Sequence, residues 1–130
     1  MKTLAFLLLL LLSFSAAAFE KSCWVLTKLK GVGTYQSHDY KLETDGFSHS
    51  ITLIFGGSGA IASGDSIGLS QSDDYAAAGA ASNANFSVAE TYLVNPMSST
   101  VLYTKSTFGY GAFIGMTGTK MFTGKATKCR

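Results

Sequence analysis

Charge of either sign is scarce in this sequence, and what there is nearly cancels. Asp, Glu, Lys and Arg make up 14% of the 130 residues, ten basic side chains against eight acidic ones. So balanced a chain lacks the electrostatic footprint that nucleic acid or an acidic membrane surface requires. Lys120, Lys125, Lys128 and Arg130 gather near the C-terminus, where a solvated strand end accounts for them. Apolar runs are short. Leu4–Leu12, broken only by Ala5, is the longest, and it is too short to span a bilayer, so no membrane span is expected. Helical stripes are absent after that run. Histidine is limited to His38 and His49 and cysteine to Cys23 and Cys129. Two histidines without a free cysteine hold zinc only if a carboxylate such as Asp39 or Asp45 joins them, and no metal or cofactor is expected.

What is present begins with an export signal. Lys2 supplies the positive start, Leu4–Leu12 the apolar segment, and Ser13–Ala18 the small residues for cleavage, with Ala16 and Ala18 in the A-x-A positions. The expected organisation is a signal peptide over 1–18 and a single domain over 19–130. Cys23 follows Phe19-Glu20-Lys21-Ser22 rather than standing directly after the cleavage site, which disfavours a lipid anchor. Export points to a periplasmic or secreted protein, where the two thiols pair. A Cys23–Cys129 bond requires the first and last strands to lie side by side, because their Cα atoms must come within about 7 Å.

Strand signals dominate the domain. Cys23–Leu29 is β-branched and aromatic and is followed by Gly31 and Gly33; Asp39–Thr44 alternates, with Tyr40 and Leu42 on one face, and leads into the turn dipeptide Asp45-Gly46. Ser50–Phe55 reads as a strand with Ala60-Ile61-Ala62 as its return partner. Residues 64–85 are poor in large side chains, and helix, loop and small-residue strand all remain open there. The clearest hairpin pairs Phe86–Val94 with Thr100–Lys105 around Asn95-Pro96-Met97-Ser98-Ser99. Lys120–Cys129 is the last strand. This rhythm predicts an all-β fold, a small antiparallel meander closed as a barrel or a sandwich.

Gly64-Asp65-Ser66-Ile67-Gly68 fits G-x-S-x-G, the turn that presents a hydrolase nucleophile. Its first four residues also resemble the G-D-S-L motif of the esterase and lipase family that carries that name, which implies Ser66 as nucleophile. That family draws its base from a D-x-x-H pair near the C-terminus. Here both histidines precede Ser66 and no D-x-x-H occurs. A serine hydroxyl without a base is a poor nucleophile, so catalysis is the remotest reading. Gly56-Gly57-Ser58-Gly59-Ala60-Ile61 brushes the calcium repeat G-G-x-G-x-D but places Ile61 where the ligand should stand. Asp73-Asp74 reads as a solvated turn.

Two features point to binding. Glu90 shares the face of Val88 and Tyr92, so it points inward and needs a partner, which Lys105 on the return strand supplies. Phe108, Tyr110 and Phe113 alternate with glycine and alanine, as a barrel mouth or contact loop does. The expectation is an exported binding module without enzymatic activity, holding a small apolar molecule or an extended partner segment near 108–113. The alternative is a secreted interaction or inhibitor protein acting through the 64–85 loop.

Overall fold

The computed structural model describes residues 22–65 and 67–130. The leader at 1–18 and Ser66 lie outside the described residues. Nine strands form one antiparallel sheet: β1 (Ser22–Tyr35), β2 (Glu43–Gly46), β3 (Ile51–Phe55), β4 (Ala60–Ala62), β5 (Ser70–Gln71), β6 (Ala76–Ser82), β7 (Phe86–Asn95), β8 (Thr100–Gly109) and β9 (Gly118–Lys128). Their spatial order is β4-β3-β1-β9-β8-β7-β6-β5, with β2 as a spur on β1. A backbone bridge from Ala60 to Leu69 brings the two ends of this order together. The result is an up-and-down barrel of eight strands, nearly closed. An eight-stranded barrel encloses just enough room for packed side chains or one small ligand.

The first and last strands are neighbours, as the cysteines require. β1 and β9 pair along most of their lengths, and Cys23 and Cys129 join at one end with Cα atoms 5.3 Å apart. Alternation fills the adjoining half of the barrel: Leu26, Leu53, Phe55, Val101 and Phe122 are fully or almost fully buried. A bulge in β1 adjusts its parity. Between the pairs Thr27–Lys125 and Lys30–Thr123, two β1 residues oppose one β9 residue, and Lys28 takes a left-handed φ of 54°. Both Leu26 and Leu29 thereby point inward, which strict alternation forbids.

Three segments differ from the sequence-based expectation, and a fourth takes one of the options left open. Gly31 and Gly33 do not end β1; they sit within it. A Cβ on Gly31 would lie 1.8 Å from the Met121 carbonyl oxygen, so glycine here allows β1 and β9 to close together. The Asp39–Thr44 strand is not formed. Residues Gln36–His38 make a 3₁₀ turn that passes through left-handed Asp39 and Tyr40, and pairing resumes only at Glu43. Asp45-Gly46 therefore lies inside β2 rather than turning the chain. Among the options for 64–85, the small-residue strand holds: Ala76–Ser82 pairs with β7, and a Cβ on Gly79 would meet the Gly68 carbonyl oxygen at 2.3 Å. That segment is part of the barrel wall.

Candidate functional site in the barrel mouth

The barrel half remote from the disulfide is hollow. A cavity of about 580 Å³ is lined by Tyr35, Phe47, His49, Ile51, Asp65, Tyr92, Tyr103, Lys105, Thr107, Met116 and Lys120, among others. Alternation places most of these. On β7, Val88, Glu90, Tyr92 and Val94 point inward; on β8, Val101, Tyr103 and Lys105; on β9, Lys120 and Phe122. The cross-strand pairs Tyr92–Tyr103 and Tyr103–Phe122 become stacked rings, 4.5 and 5.7 Å between centroids. Phe47, whose N–H donates to the Leu29 carbonyl, leans on Phe122 at 4.9 Å and on His49 at 5.1 Å. The floor of the cavity is thus aromatic.

Its polar groups converge on Glu90. This carboxylate is 1% exposed. Lys105 Nζ lies 2.6 Å from Oε1, the Tyr103 hydroxyl donates to Oε1 at 3.0 Å, and the Tyr92 hydroxyl donates to Oε2 at 3.3 Å. Burial raises the Glu90 pKa above the ordinary carboxyl value, a hydrogen bond with the Asp65 carboxyl raises it further, and Lys105 opposes both. Burial likewise pushes both tyrosine hydroxyls well above the ordinary phenol value, so they act as neutral donors. The pairing of inward Glu90 with Lys105 read from the sequence is present as a direct ladder pair.

Nearer the rim, a second cluster repeats the theme. The Tyr35 hydroxyl donates to Asp45 Oδ2 at 2.7 Å, Lys120 Nζ lies 3.3 Å from the same oxygen, and Lys120 sits over the Tyr35 ring at 5.2 Å. Hydrogen bonding from Tyr35 holds the Asp45 carboxyl below its usual range despite partial burial. Lys105 and Lys120 are direct cross-strand neighbours, a destabilising arrangement for like charges. Each has its own carboxylate, Glu90 for one and Asp45 for the other, which offsets that repulsion.

Phe108, Tyr110 and Phe113 take other positions. Phe108 is the outward side chain near the end of β8, 52% exposed, and lines a separate hollow of about 590 Å³ on the outside of the sheet together with Tyr40, Ala80, Ala89, Ser106 and Thr119. The Tyr110 hydroxyl meets Ser87 Oγ at 2.8 Å. Phe113 belongs to a wholly exposed 3₁₀ segment, Gly111–Met116. From this loop, the inner cavity is lined by Gly115 and Met116 instead. His38 pairs with Glu43 at 2.8 Å, away from His49, and Asp73 Oδ1 accepts the Tyr75 N–H as a turn residue does. Among the described residues, no group of three or more His, Cys, Asp or Glu side chains is placed to hold a metal ion, and no helix is long and apolar enough to cross a membrane.

Sequence reasoning reached Glu90 and Lys105 but missed Lys120, Tyr35 and Asp65. Lys120 was legible: it stands two residues before the inward Phe122, as Lys105 stands two after Tyr103. Tyr35 depended on the bulge, which shifts β1 parity, and Asp65 on the path of a turn. No protein-family model, curated protein or solved structure matches the chain.

Proposed function

We propose that the protein is an exported, non-enzymatic carrier that holds one small amphipathic molecule in the barrel mouth. The observation that carries this reading is the cavity itself: aromatic walls for an apolar body, with Lys105, Lys120 and Asp65 at hand for a polar end. A volume of about 580 Å³ falls within the range of small-molecule pockets. The hollow outside the sheet, similar in size, has no ionisable lining group except the exposed Tyr40 hydroxyl and offers no such convergence. Buried charge is costly, and an open cavity that retains a lysine–carboxylate pair has a use for it in ligand orientation. The Cys23–Cys129 bond and its oxidising compartment fit a periplasmic or secreted location.

The test is native mass spectrometry of protein purified from its own host, repeated on Thr107→Phe, which fills the mouth from β8. The expected result is a small-molecule adduct on the native chain, released on denaturation and absent from the variant. A native chain that carries no adduct and binds no member of a panel of aromatic acids, aromatic amides and fatty acids would overturn the reading.

A further inference from the structure

We propose that the outer face of β6–β9 is the contact surface of a twofold dimer, its occupant a second copy of this chain. The ladder stacks outward side chains in rows that cross the strands: Leu93 beside Leu102, Thr91 beside Thr104, Ala89 beside Ser106. Alanines on β6 and Thr119, Met121 and Thr123 on β9 extend these rows on either side. No position in the three rows carries an ionisable side chain. Leu93 and Leu102 are nevertheless 49% and 48% exposed. Soluble designs aim for a surface about 25–35% charged and free of contiguous apolar patches. Here the nearest outward charge on these strands, Lys125, stands one row beyond Leu102, opposite Thr100.

The relief of the face selects its own image as partner. Leu93 and Leu102 form a ridge, while the row four residues along, Ala89 and Ser106, is part of the floor of the outer hollow of about 590 Å³. Thr91 and Thr104 lie midway, their hydroxyl oxygens 2.5 Å apart. A twofold axis lying in the face along this middle row sets Leu93 over Ala89 of the partner subunit and Leu102 over Ser106 of the partner subunit. Symmetry repeats both contacts in reverse, so two ridges fill two hollows. A face without charge also meets its copy without like-charge repulsion. With strands about 4.8 Å apart and about 3.3 Å per residue, the patch is about 20 Å on each side. That places it at the small end of specific interfaces, below about 1,200 Å² in total, where association is weak and depends on concentration.

Sedimentation across a concentration series tests this with single and compensating charges. The native chain should pass from one copy to two as concentration rises. Leu93→Lys and Ala89→Glu should each remain a single copy, with circular dichroism unchanged. The chain carrying both substitutions should regain the dimer, because the axis sets each new lysine against the partner's new glutamate. Within one chain the two lie about 13 Å apart and do not pair. A native chain that stays single throughout, a native dimer indifferent to both single substitutions, or a double variant that stays single would each overturn the proposal. So would a single-copy native chain that binds neutral lipid vesicles or neutral oligosaccharides, with Leu93→Lys abolishing that binding.

Discussion

The two sides of β7–β8–β9 reverse the usual distribution of charge. Inward-facing Glu90, Lys105 and Lys120 are ionisable, whereas outward-facing Leu93, Leu102 and Met121 are apolar and about half exposed. Sheets with one solvated face normally alternate hydrophobic-in and polar-out. Polar groups kept inside carry a desolvation cost that an apolar lining would not. The inversion is also local. Toward the disulfide the same strands return to ordinary packing, with Val94, Val101 and Ala126 inward and Lys125 outward.

Breaking the inner side should cost most. Lys105→Ala leaves Glu90, 0% exposed in its side chain, without its cation, and should lower the urea-unfolding free energy by about 3–5 kcal/mol. Next is Tyr103→Phe, which deletes the 3.0 Å donor to Glu90 Oε1 and should cost about 1–3 kcal/mol by the same measurement.

The pH dependence sharpens the contrast further. Glu90 keeps its proton in the folded state to a higher pH than the ordinary carboxyl value of 4.5, so the folded chain binds more protons above that value. Its contribution to stability is therefore full below 4.5 and is lost as pH rises through the raised pKa. Asp45 works oppositely: its lowered pKa supplies stability present above 3.8 and lost as pH falls through the folded value. Urea midpoints measured against pH should fall on the alkaline side of 4.5 in the native chain, and that slope should flatten in Glu90→Gln. Smallest of all, Leu102→Thr on the outer face should change the stability of the single-copy form by less than about 0.5 kcal/mol. A loss there as large as that of Lys105→Ala would erase the distinction between the two sides.

Features that rest on alternation or on covalent closure were legible in the sequence. The β7–β8 hairpin, the inward Glu90 and the adjacency of the first and last strands follow from period-two patterning and from two cysteines near the ends of the domain. The failures occur where backbone geometry overrides pattern. At 39–44 the side chains alternate, yet left-handed Asp39 and Tyr40 turn the chain through a 3₁₀ segment. Gly31 and Gly33 look like strand terminators, but Gly31 allows the close approach of β1 to β9 and Gly33 leaves room for the Tyr35 ring. The 64–85 stretch carries too few large side chains for periodicity to register, and its strand exists because its small residues fit against neighbouring backbone. Aromatic character alone also misplaced Phe108: β8 continues to Gly109, and its register turns that ring outward.

The closure at Ala60–Leu69 has a mechanical consequence. Among the described residues, the wall is held there by the backbone hydrogen bond from Ala60 N–H to the Leu69 carbonyl at 2.9 Å, with side-chain bonds from Gly57 N–H to Gln71 Oε1 and from the Ser22 hydroxyl to the Asp74 carbonyl. The opposite join, β1 with β9, is a long ladder pinned by a disulfide. The cylinder is therefore a hinge-backed clasp. Thermal fluctuation should part it at the short seam first and leave the pinned side closed.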